Sequence, residues 1–265
     1  MKKAFFKQFL FAGILLFSAT GFHAKNGVLK TGPGADSIKH VRAKNIVIVH
    51  GAFADGSGFR EVFRQLVGKG YKVTIVQNPL TSLKDDVDAT LRALDKQEGP
   101  TVLVGHSWGG TVITEAGMHS KVVALVYIAA FQPGKGETTI QWASSLPAAP
   151  ENGTLPPDGQ GVVYFDDAKF HAGFAADLSK EEAQFLSASQ GPIFGKCFTT
   201  AVKEAAWKVK PSYGIVPTED KAINPDILRN MYTRSGTTIT ELKASHLVYM
   251  SRPGAVANVI MAAAE

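Results

Sequence analysis

The sequence predicts an α/β fold: a mostly parallel central sheet with helices on both faces and a cap inserted between two strands. Three observations carry this. Short, nearly continuous apolar and β-branched runs recur along the chain, as strands buried on both faces of a parallel sheet do. Amphipathic stretches and loops holding Gly or Pro separate these runs in a β-α-β-α order. The alternation breaks once, between residues 132 and 207, and then resumes.

Ile46-Val47-Ile48-Val49 reads as the first strand, followed by a Gly-rich loop and a helix from about Gly58 to Val67. Val73-Thr74-Ile75-Val76 is the second strand. Leu83 to Asp95 is a helix with Val87, Leu91 and Leu94 along one face, and Asp85, Asp86 and Asp88 read as its solvated start. Val102-Leu103-Val104 is the third strand, Thr111 to Met118 continues the helix that follows it, and Val122 to Ile128 is a fourth strand. From Gln132 to Gly161 the chain carries five prolines and no periodicity. Residues 162 to 207 look helical, with Ser179 placed as an N-cap ahead of Glu181 and Glu182. Strands at Tyr213 to Val216 and Thr237 to Leu242 then alternate with helices from about Pro225 to Thr233 and from Pro253. An insertion at 132–207 is expected to lie over the carboxyl ends of the strands, where ligands of such sheets bind.

At 265 residues, 45% hydrophobic and 19% charged, the chain is an ordinary globular composition with no fixed-period repeat. Met1-Lys2-Lys3 and Lys7 precede an apolar run from Phe9 to Phe17, with small and polar residues to Ala24. That order predicts a secretory signal peptide over residues 1–24, cleaved after Gly21 or Ala24; the run is shorter than the roughly 20 residues of a membrane span. Residues 25–44 read as a linker and 45–265 as the folded domain, exported to the periplasm or beyond without stable membrane insertion. Three of the 28 basic residues and none of the 23 acids lie in the leader, so the remainder carries 25 basic against 23 acidic side chains. With no basic stripe, a nucleic-acid partner is not expected. Cys197 is the one cysteine, so an internal disulfide is excluded and a buried thiol is expected.

The chemistry is concentrated in Gly105-His106-Ser107-Trp108-Gly109-Gly110, directly after a strand and opening a helix. A G-x-S-x-G turn in that setting exposes a serine hydroxyl at a helix N-terminus, where developing negative charge is favoured. A serine hydroxyl needs a histidine base held by a carboxylate, in chain order Ser, acid, His. Of seven histidines, His246 alone follows the last strand. The acid should follow the preceding strand, where Glu219 and Asp220 both stand; Asp220 lies deeper in the loop and is preferred. Two backbone N–H groups should form the oxyanion hole. One belongs to Trp108. The other comes from His50-Gly51-Ala52-Phe53, with Ala52 preferred and Phe53 next, while His50 is read as bracing the loop. No metal-ligand spacing or dinucleotide fingerprint is present, so neither metal nor cofactor is expected. Gly191-Pro192-Ile193-Phe194-Gly195-Lys196 lacks the spacing of a phosphate-binding loop.

With these residues placed, the chain resembles the α/β-hydrolase superfamily, and within it the branch of plant methylesterases, hydroxynitrile lyases and exported bacterial esterases. The matching segments are Val47 to Ala52, Val104 to Gly110, Thr218 to Ile223 and Ser245-His246. The resemblance implies an α/β-hydrolase fold and a catalytic set of Ser107, Asp220 and His246, with Ala52 and Trp108 as oxyanion donors. It implies a serine carboxylesterase working through an acyl-enzyme, and the aromatic-rich insertion, with no Arg cluster to seize a carboxylate or phosphate, points to a small to medium, uncharged, partly apolar ester or lactone. The lyases of that branch carry Thr after the first-strand His and Lys after the catalytic His; here Gly51 and Leu247 stand there, which favours hydrolysis. A ligand receptor on the same fold is the remaining alternative.

Overall fold

The computed structural model describes residues 42–265; the expected leader and most of the expected linker lie outside the described residues. The end of that linker already belongs to the domain. Ala43 is buried and its N–H donates to Ala264 O at 2.9 Å.

In chain order, β1 (Asn45–Val49) leads through a 3₁₀ turn (Gly56–Phe59) into α1 (Arg60–Gly68), then β2 (Lys72–Val76), α2 (Leu83–Asp95), β3 (Thr101–His106), α3 (Trp108–Ala116) and β4 (Val122–Ile128). The cap contains α4 (Thr139–Ala143), β5 (Val162–Val163), α5 (Asp167–Phe174), α6 (Lys180–Ala188), β6 (Ile193–Phe194) and α7 (Gly195–Thr199). The sheet resumes with β7 (Ser212–Pro217), α8 (Pro225–Ser235), β8 (Thr238–Leu242), α9 (Val248–Ser251) and α10 (Pro253–Ala263).

Among the described residues, six strands form one parallel sheet in the order β2-β1-β3-β4-β7-β8. β1 and β3 are buried along their whole length, since helices cover both faces: α2 packs with α3 and α1 with α10. The chain leaves β1 first to one side and later to the other, so β1 and β3 flank the topological switch point where such sheets bind ligands. Val49 pairs with Gly105 in register. The loop after β1 and the loop after β3 therefore emerge side by side.

Helix starts follow their caps. The Ser82 side chain accepts from Asp85 N–H at α2, and that of Ser179 from Glu182 N–H at α6. α3 begins at Trp108, so the serine turn itself opens the helix, as the motif's setting predicts. The cap corrects the sequence reading most. The segment without periodicity holds α4, opened by a capping box between Thr138 and Gln141, and the stretch read as helical contains the antiparallel β5–β6 pair.

Candidate active site

Ser107 stands between β3 and α3 with φ 52° and ψ −119°, a left-handed backbone that a non-glycine residue adopts at some cost. Neighbouring contacts hold it there. Its N–H donates to Ile128 O, and its carbonyl accepts from Gly110 and Phe131. The turn presses so closely on β1 that a Cβ on Gly109 would lie 2.5 Å from Val49 O.

His246 lies after β8 and Asp220 after β7, on adjacent parallel strands. Both are buried, and His246 Nδ1 sits 2.7 Å from Asp220 Oδ2. With the carboxylate accepting, the proton belongs on Nδ1 and the Nε2 lone pair is free. Asp220 is itself fixed by Ala222 and Ile223, whose N–H groups donate to its other oxygen at 2.8 and 2.9 Å. Glu219, the alternative acid, points elsewhere and pairs with Lys243 at 3.6 Å on the surface.

Ser107, His246, Ala52 and Trp108 all border one cavity of about 230 Å³ beneath the cap, with Asp220 behind the histidine. Ser107 Oγ and His246 Nε2 do not hydrogen-bond in this conformation; such contacts commonly tighten when substrate binds. The Phe53 N–H is spent on Gly191 O at 3.0 Å, whereas those of Ala52 and Trp108 meet no protein acceptor among the described residues. The cap contributes Ile140, Phe165, Phe174 and Phe198 to the walls, and among the described residues no Asp, Glu, Lys, Arg or His side chain apart from His246 borders the cavity. Of the other cap aromatics, Phe170 is buried behind this wall and Phe185 is largely exposed.

The remaining histidines near the turn brace it. His50 donates from Nδ1 to Gly51 O, and its Nε2 accepts the Asn78 N–H, both at 2.8 Å. Burial lowers its pKa, which suits the neutral ring this pattern requires. His106 is wholly buried, donates from Nε2 to His246 O, and is held neutral chiefly by burial. Cys197 is also buried, and burial pushes its thiol up to about 12.

Two acids do work the sequence did not reveal. Asp86, expected at a solvated helix start, is instead fully buried. Its Oδ2 accepts the Trp108 indole N–H at 2.7 Å, and its Oδ1 accepts the Leu80 N–H at 2.8 Å. Helical spacing carried the signal: Asp86 falls three residues after buried Leu83 and four before buried Thr90, on the inner face of α2. Asp177, between α5 and α6, accepts both the N–H and the hydroxyl of Ser245, tying the cap to the residue before His246.

A family model described as alpha/beta hydrolase matches residues 46–259. The chain belongs to the α/β-hydrolase family. It is 30% identical over 177 residues to a carbendazim hydrolyzing esterase from Nocardioides sp. (strain SG-4G), covering 62% of this chain and 65% of that one, just under two-thirds of its length. It is 26% identical over 250 residues to a pyrethroid hydrolase of Sphingobium wenxiniae, covering 82% and 86%. Among solved structures, a pyrethroid hydrolase from Sphingobium faniae superposes with TM-score 0.70 at 21% identity, covering 84% of this chain and 97% of that one. Polyneuridine aldehyde esterase gives 0.73 at 17%, covering 84% and 100%.

Proposed function

We propose that the protein is a serine carboxylesterase hydrolysing a small to medium, uncharged ester or lactone. The observation that carries this reading is the buried Asp220–His246 pair behind a cavity that Ser107 and two free backbone N–H groups also face. In this mechanism His246 Nε2 takes the proton of Ser107 Oγ as the oxygen attacks the substrate carbonyl. The oxyanion is received by the N–H groups of Ala52 and Trp108 at the start of α3. The imidazolium then protonates the departing alkoxide, and the acyl-serine is hydrolysed by a water that His246 deprotonates.

A cavity walled by phenylalanines, with no Lys or Arg among the described residues that border it, suits an uncharged, partly apolar substrate. Leu247 stands where the hydroxynitrile lyases of that branch carry Lys, so a departing cyanide lacks that cation, which counts against the lyase alternative. Relatives named as an esterase and a hydrolase support ester cleavage.

The test is a panel of p-nitrophenyl esters of rising acyl length, with lactones and aryl esters, against wild type and Ser107→Ala. Turnover should fall by several orders of magnitude in Ser107→Ala, and an organophosphonate should label Ser107. Label on another serine, or no turnover by wild type, overturns the proposal; the latter with tight ligand binding is the receptor outcome.

Export of the protein is part of this reading, supported by the order of charged, apolar and small residues over 1–24. Expression with the leader should give a periplasmic or secreted protein beginning near Phe22 or Lys25. An uncleaved chain in the membrane fraction would make the segment an anchor.

A further inference from the structure

We propose that Asp86 is a positioning residue for the oxyanion hole: its carboxylate anchors the Trp108 indole and thereby sets the backbone N–H of Trp108. This rests on the serine-hydrolase reading and adds to it a group that never touches substrate.

The geometry is specific. Trp108 is the first residue of α3, directly after the serine turn, and borders the cavity; its side chain is fully buried. At the far end of that side chain the only polar atom, Nε1, donates to Asp86 Oδ2 at 2.7 Å. Phe198 of α7 packs edge-on against the indole, with ring centroids 5.6 Å apart. The ring is thus fixed by a hydrogen bond and by packing. An oxyanion donor works only if it is aimed before charge develops, and small errors of aim are costly.

A buried carboxylate is an expensive way to fill space, since an apolar side chain of similar size avoids the desolvation cost. What a carboxylate adds is two acceptors in one rigid plane. Asp86 spends them on Trp108 and on Leu80, a residue with φ 58° whose carbonyl accepts the Phe194 N–H of β6 at 2.9 Å. One side chain therefore joins the start of α3, the loop after β2 and the cap. Burial pushes Asp86 up to about 6, so above that pH it is the charged, doubly accepting form.

The experiment measures kcat and KM on p-nitrophenyl butyrate, and Ki for a trifluoromethyl ketone, whose adduct with a serine carries an oxyanion. The proteins are wild type, Asp86→Leu, Trp108→Phe and the double variant at pH 8. Asp86→Leu should lower kcat about 10- to 100-fold, less than the loss of a whole donor, while KM stays within about two-fold. Ki for the ketone should weaken by the same factor as kcat. Trp108→Phe removes the indole N–H together with part of the ring and should give a similar split, with Asp86→Leu adding little on top of it. Unchanged kcat in a folded Asp86→Leu, a rise in KM alone, or full additivity in the double variant overturns the proposal. If Asp86→Leu does not fold, Trp108→Phe decides: unchanged kcat and Ki refute the link. No turnover by wild type, or turnover kept by Ser107→Ala, fails the serine-hydrolase reading instead.

Discussion

Asp220 Oδ2 lies 2.7 Å from His246 Nδ1, with both side chains buried and the second carboxylate oxygen held by two backbone N–H groups. A carboxylate so restrained leaves the imidazole one orientation and one tautomer. The basic nitrogen is then the one at the cavity.

Asp220→Asn should keep the fold but place an amide N–H against His246 Nδ1, favouring the wrong tautomer. A loss of about 10⁴ in kcat is expected. Glu219→Gln, which disturbs only a surface pair with Lys243, should stay within about two-fold. Rates at pH 7 and pH 9, with circular dichroism as a check on folding, separate the two. A large loss in Glu219→Gln beside a near-normal Asp220→Asn would reverse the assignment.

Gly51 is where the loop after β1 meets the serine turn. A Cβ there would fall 2.7 Å from Ser107 Cβ and 3.0 Å from His106 O, and neither atom can yield without moving the turn. Gly51→Ala should therefore cost about 100-fold in kcat, the penalty for misplacing reacting groups by about an ångström. A folded variant with wild-type kcat would mean that the loop and the turn are free to separate.

Asp177 holds the loop of His246 from the cap side. Removing it leaves the Ser245 N–H and hydroxyl without their partner. Asp177→Ala should destabilise the protein by about 1–3 kcal/mol and lower kcat, as the histidine loop gains freedom. Urea unfolding and steady-state rates test this; unchanged stability would show that water replaces the carboxylate at no cost.

Much of this architecture is legible in the sequence because each signal is local. Leu83 to Asp95 has both a cap and an apolar face, and its ends match the structure. The serine turn announces itself by its glycines, and His246 by following the last strand. Apart from α6 and its Ser179 cap, the inserted segment is not legible for a physical reason: α4 and α7 have five residues each and β5 and β6 two each, too short for a period to repeat. Asp86 was misread because three acids near a helix start normally face water. Its partner, the Trp108 indole, is 22 residues away, and local pattern carries no trace of it.

The last prediction concerns stability against pH. Asp86 is fully buried, and burial, opposed by the hydrogen bonds from Trp108 and Leu80, raises its carboxyl from 3.8 to about 6. Asp85 beside it adds to the rise. Between these pH values the folded protein keeps a proton that the unfolded chain has lost. The stabilisation linked to that proton is complete below about 3.8 and is lost as pH rises through about 6. The change is on the order of 3 kcal/mol. Asp86→Asn cannot titrate, so its stability relative to wild type should climb across this window and level off above it. Because the quantity is a difference between two proteins, the other carboxylates largely cancel. Urea midpoints at pH 4, 5, 6 and 7 measure it. A flat difference across the series would mean that Asp86 ionises in the folded protein as readily as in the unfolded one.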